Sequence, residues 1–87
     1  MEKTTHALIT GASSGLGKHL AMECALRGYP LILVALPETG LQLVANDLKA
    51  ATGVEVYVIE TDLTDESGPL QVFDFCAKHG LRVGILV

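Results

Sequence analysis

A doubly wound parallel α/β sheet is the fold this sequence predicts, and three observations carry that prediction. Apolar strand-like runs alternate with segments of helical periodicity along the whole chain. The second run, Leu31-Ile32-Leu33-Val34-Ala35-Leu36, lacks polar alternation, as a strand covered by helices on both faces does. Between the first run and the first helical segment stands Thr10-Gly11-Ala12-Ser13-Ser14-Gly15-Leu16-Gly17, whose glycines leave the backbone almost bare at a sharp bend. Right-handed crossovers then give strand order 3-2-1-4 in an incomplete sheet of four strands and three helices.

Strand one runs from Thr5 to Ile9. Helix one follows from Gly15 to Arg27, with Leu16, Leu20, Ala21 and Cys24 on one face, and Gly28-Tyr29-Pro30 ends it. Strand two spans residues 31–36, flanked by Pro30 and Pro37, which disfavour a buried helix there. Helix two takes residues 39–51: Leu41, Val44, Leu48 and Ala51 recur at three and four, Thr39 is a candidate N-cap, and Thr52-Gly53 closes the helix. Strand three, Val54 to Ile59, alternates Glu55, Tyr57 and Ile59 against its valines. The polar turn Thr64-Asp65-Glu66-Ser67-Gly68-Pro69 leads into helix three, with Leu70, Phe73 and Ala77 on its apolar face, Val72 and Cys76 beside them, and His79-Gly80 at its end. Residues 81–87 begin a fourth apolar strand.

At 87 residues the chain is one small domain at most, one that buries roughly 60 to 65% of its unfolded surface. No apolar run reaches the roughly 18 residues of a membrane span, and the opening Met1-Glu2-Lys3-Thr4-Thr5 has no secretory pattern. The expected setting is therefore cytoplasmic. Cys24 and Cys76 read as reduced core thiols. His6, His19 and His79 lack ligand spacing, so no metal is expected. A net charge of −4 with scattered lysines and arginines argues against nucleic-acid and anionic-membrane partners.

The glycine-rich bend has chemistry of its own. A pyrophosphate approaches a helix N-terminus only where no Cβ blocks it, and there the unpaired N–H groups and the helix dipole favour an anion. Gly11 suits the tight turn, Gly15 the close approach and Gly17 the packing of helix on sheet, while Ser13 and Ser14 add hydroxyl donors. The plainer alternative is a glycine-rich turn capped by Ser14, with no ligand. A triphosphate-binding P-loop is excluded, because its first glycine would fall on Ala12 and its magnesium-binding hydroxyl on His19.

After a short strand, TGASSGLG resembles the TGxxxGxG cofactor loop of the short-chain dehydrogenase/reductase family. The resemblance implies a Rossmann-type fold, a nicotinamide dinucleotide bound by Gly11, Ser13, Ser14, Gly15, Leu16 and Gly17, and a small-molecule substrate in the full-length protein. At the end of strand two, where an acid would select NAD, stand Ala35-Leu36-Pro37; Ala35 joins the site. The missing acid leans the cofactor toward NADP over NAD, although no arginine replaces it and Glu38 lies late. Lys18 either reaches a phosphate or is a solvated helix-face lysine. Asp62-Leu63 resembles the pair that contacts adenine, the carboxylate accepting from the exocyclic amine; Asp62 as a cap of the polar turn is the alternative.

Family members catalyse with Asn, Ser and a Tyr-x-x-x-Lys pair beyond strand four. Tyr29 and Tyr57 are followed four positions on by Leu33 and Thr61, so no catalytic residue is assigned here. The resemblance covers the chain and breaks off within the fold, which implies that residues 1–87 are the N-terminal part of a single NAD(P)-binding domain, truncated after the fourth strand and inactive alone. The unpaired edge of that strand predicts that the fragment self-associates or aggregates, and a homo-oligomer is among the expected partners. The oxidoreductase fragment, acting in its parent on a carbonyl or secondary alcohol, stands against two other readings: a stand-alone dinucleotide-binding module without catalysis, and a ligand-free structural domain.

Overall fold

A computed structural model of the chain describes residues 5–87; residues 1–4, read above as part of a non-secretory N-terminus, lie outside the described residues. The elements follow in the predicted order: β1 (Thr5–Thr10), α1 (Gly15–Leu26), β2 (Leu31–Ala35), α2 (Leu41–Thr52), β3 (Val56–Glu60), α3 (Ser67–Lys78) and β4 (Arg82–Leu86). The sheet is parallel throughout, in the order β3-β2-β1-β4. Thr10 is level with Val34, and Ala35 with Glu60, so the C-terminal ends of β1, β2 and β3 form one edge.

The apolar run of β2 is buried at every position, and its alternation distributes it between two cores. On one side Leu31 and Leu33 join Ala7 and Ile9 of β1 beneath Ala21 and Ala25 of α1 and Leu41, Val44, Ala45 and Leu48 of α2. On the other, Ile32 and Val34 join Leu8 and Ile59 under Val72, Phe75 and Cys76 of α3. Each core leucine buried in this way contributes roughly 2 to 3 kcal/mol. Cys24 and Cys76 are free thiols at the margins of the two cores, and burial pushes the Cys76 thiol up.

Several sequence expectations need correction. The inward residues of α1 are the two alanines, which let the helix lie close to the sheet, while Leu16 is 72% exposed at its loop end. The N-cap of α2 is Gly40, not Thr39, whose hydroxyl donates instead to the Leu36 carbonyl at 2.8 Å; Ala51 is exposed. The polar turn ends earlier than expected, because Ser67, Gly68 and Pro69 already belong to α3. Proline is tolerated there because first-turn N–H groups have no intrahelical acceptor. The helix is also rotated: Leu70 and Phe73 are 64% and 69% exposed, and Val72, Phe75 and Cys76 face the sheet. Strand β4 bulges at Gly84, since His6 pairs with Val83 but Ala7 with Ile85. Among the described residues no helix is long and apolar enough to cross a membrane.

Candidate functional site

The chain leaves β1 through Thr10, whose N–H and hydroxyl both donate to the Val87 carbonyl, at 2.9 and 2.8 Å. These two hydrogen bonds to the residue that follows β4 fix the start of the bend. Gly11 then takes a left-handed turn at φ 61, and Ala12, buried, donates its N–H to the Val34 carbonyl at 3.2 Å. The loop is thereby tied to β2 as well. Gly17 lies so close to Gly11 that a methyl group on it would overlap the Gly11 carbonyl oxygen, which presses the first turn of α1 onto the bend.

Gly15 has the opposite surroundings. Its φ is 58, and a Cβ built there would meet nothing within 4 Å. Hydrogen bonding in the helix starts with Lys18 N–H to the Ser14 carbonyl at 3.4 Å, so the N–H groups of Gly15, Leu16 and Gly17 have no helical acceptor. Ser14 is the N-cap residue but makes no side-chain cap bond, and neither its hydroxyl nor that of Ser13 has a partner among the described residues. Amides without a helical acceptor, two hydroxyls without a partner among the described residues and the positive end of a helix dipole lie together in this loop, beside a residue without a side chain. That donor set fits a diphosphate.

At the same sheet edge a cleft of about 300 Å³ opens between the ends of β2 and β3, lined by Gly11, Ala35, Leu36, Thr61, Asp62 and Leu63. Thr61 donates its N–H to the Ala35 carbonyl at 2.9 Å, holding the two strand ends together. Asp62 does cap its turn: its Oδ1 accepts from the Thr64 hydroxyl at 2.6 Å and the Thr64 N–H at 2.9 Å. Those two bonds hold the carboxyl below the ordinary carboxylate value. Oδ2 accepts none of the hydrogen bonds among the described residues, so the turn and a ligand would not compete for the same oxygen. Leu36 and Leu63, 52% and 37% exposed, are apolar surface at the rim.

The structure thus brings Gly11, Ala35, Asp62 and Leu63 to one cleft, with the open loop of Ser13 to Gly17 at the same edge. Lys18 instead lines a separate groove of about 320 Å³ between α1 and α2, with Gly15, Met22 and Leu48. Sequence reasoning missed the left-handed backbone of Glu38, at φ 65, and the second tie at the cleft, from Thr61 to Gln71. The first has no signal in its residue type, and the second joins residues ten apart. Among the described residues no three His, Cys, Asp or Glu side chains gather for a metal. His6 and His79 flank Tyr57 away from this edge, His79 stacked on Phe75 at 4.1 Å.

Residues 5–87 match the sequence model described as short chain dehydrogenase. The chain is 35% identical over 83 residues to 17-beta-hydroxysteroid dehydrogenase type 3 of Mus musculus, an alignment covering 93% of this chain and 26% of that protein. Among solved structures it resembles the short-chain dehydrogenase from Sphingobium yanoikuyae in complex with NADPH, with 38% identity, a TM-score of 0.80, and coverage of 94% of this chain and 32% of that one. L-sorbose reductase from Gluconobacter frateurii, complexed with NADPH and L-sorbose, superposes with a TM-score of 0.89 at 31% identity, over 97% of this chain and 32% of its own. The chain spans about a quarter of the length of the curated relatives it matches.

Proposed function

The chain belongs to the short-chain dehydrogenase family, and we propose that it is the cofactor-binding half of an NAD(P)(H)-dependent oxidoreductase that reduces a carbonyl or oxidises a secondary alcohol. In this reading residues 1–87 are the N-terminal part of one dinucleotide-binding domain. The observation that carries it is the contrast at the bend: Gly17 is packed against Gly11 so that the helix is fixed, whereas Gly15 faces open space beside unpaired amides.

When bound, the nicotinamide supplies or accepts the hydride. The residues of this chain hold the rest of the molecule. The N–H groups of Gly15, Leu16 and Gly17, with the Ser13 and Ser14 hydroxyls, bind the diphosphate, and Gly11 makes the turn that aims them. Ala35 would line the place of the adenosine ribose. Asp62 would accept from the adenine amine, and the Leu63 backbone would border the ring. NADP(H) is the favoured form, because no carboxylate stands at Ala35-Leu36 to repel a 2′-phosphate; the relatives from Sphingobium yanoikuyae and Gluconobacter frateurii, each in complex with NADPH, support this.

Equilibrium titration with NADPH and NADH, followed by cofactor fluorescence, tests the proposal. Saturable binding with NADPH the tighter of the two is expected, reduced more than about tenfold by Gly15→Val; no binding of either would refute it. Two accompanying readings are a cytoplasmic setting, which suits the free Cys24 and Cys76, and a homo-oligomer. Sedimentation velocity should show association that grows with concentration, and a monomer at every concentration would contradict it.

A further inference from the structure

One face of α3 holds two consecutive residues at the end of β3. Gly68 lies under Asp62, so closely that a methyl group there would overlap the Asp62 carbonyl oxygen. Three residues on, the Gln71 side-chain oxygen accepts a hydrogen bond of 2.6 Å from the Thr61 hydroxyl. Residues three apart share a helix face, so Gly68 and Gln71 grip neighbouring positions. Thr61 is only 7% exposed, and its N–H is committed to the Ala35 carbonyl. Its hydroxyl is therefore anchored to the helix while its backbone is anchored to β2.

From this juxtaposition we infer that Gln71 is a positioning residue for the base end of the cofactor, acting through Thr61 to set where Asp62 and Leu63 stand in the cleft. The inference rests on the proposed role of Asp62 and adds to it a residue from a different element. Without the Gln71 acceptor the buried Thr61 hydroxyl loses its partner, and only the contact of Gly68 with the Asp62 carbonyl is left to seat this face of α3 against the Thr61–Asp62 peptide, which is then held less closely. Oδ1 of Asp62 follows Thr64 within the turn, so the displaced atom that matters is Oδ2, the oxygen left for an incoming amine. A helix-to-strand tie with no bearing on the cofactor would affect folding but not the choice of base.

The test compares NADPH with deamino-NADPH, in which hypoxanthine places a carbonyl where adenine has its amine. Wild-type protein should prefer NADPH by about tenfold, and Asp62→Ala should abolish the preference. Gln71→Leu should bring the ratio close to one while deamino-NADPH binds as before; Gln71→Glu, which keeps an acceptor oxygen, should restore the preference. Thermal melts establish that each variant is folded, and Thr61→Val gives the same removal from the other partner should Gln71→Leu not fold. A wild-type ratio in Gln71→Leu or Thr61→Val, with the ratio lost in Asp62→Ala, overturns the positioning role alone. Equal binding of the two dinucleotides by wild type, or binding of neither, removes the role of Asp62 and this inference together.

Discussion

Gly17 sits directly against the carbonyl of Gly11, leaving no room for a side chain between the first turn of α1 and the bend that precedes it. Gly15, two residues earlier, has empty space where its side chain would be. Glycine thus serves two different ends in one loop, and the two positions should fail differently. Gly17→Ala is expected to destabilise the fold by about 3 kcal/mol, since the atom it meets is backbone and has nowhere to go. Gly15→Ala should cost only about 1 to 2 kcal/mol, from its left-handed φ, yet weaken the dinucleotide more than its stability loss explains. Urea unfolding together with cofactor titration separates the two.

Asp62 gives a prediction with a defined sign. Its folded-state carboxyl is held below the ordinary value of 3.8 by the Thr64 hydroxyl and N–H, so the charged form is favoured by folding. Its contribution is present in full above that ordinary value and is lost as the pH falls through the depressed one. The stability difference between wild type and Asp62→Asn should therefore persist at neutral pH and close in acid. Thr64→Val should move the Asp62 titration upward when the carboxyl carbon is followed by NMR.

The two phenylalanines of α3 offer a test of how that helix is seated. Phe75 packs against Tyr57 with ring centroids 6.1 Å apart and against His79, whereas Phe73 is 69% exposed. Phe75→Ala is expected to cost about 2 kcal/mol and Phe73→Ala no more than about 0.5. Equal losses in urea melts would mean that the helix is turned the other way.

Glu38 stands in left-handed backbone at the rim beyond β2, at φ 65 and exposed. Replacing it with glycine relieves that conformation and should raise stability by about 0.5 to 1 kcal/mol. A loss of stability in Glu38→Gly would show that its side chain has a role the backbone does not explain.

Much of this was legible in the residues, for reasons that differ from element to element. Strand β2 could be recognised because a run with no polar position has to be buried on both faces, and that placed it in the middle of the sheet. The glycine loop could be recognised because its spacing fits a bend between strand and helix. Helix α3 was misread because it is apolar on two sides: Leu70, Phe73 and Ala77 keep helical spacing as well as Val72, Phe75 and Cys76 do. What chooses between them is Gly68, which has to lie against the Asp62 carbonyl, a contact that periodicity does not encode. The same limit applied to Leu16, where a large apolar residue stands at the open end of α1 and two alanines do the packing. It applied again to Thr39, whose hydroxyl found the Leu36 carbonyl before it found a helix to cap.

In the proposed binding mode the amides at the start of α1 receive the diphosphate, and backbone NMR reads those amides one by one. In a titration of isotope-labelled protein with NADPH, the largest amide shifts should fall on Ser13 through Gly17, with a second group at Asp62 and Leu63. Shifts confined to the opposite edge of the sheet, around His6 and His79, or a loop whose amides do not move at saturation, would contradict it.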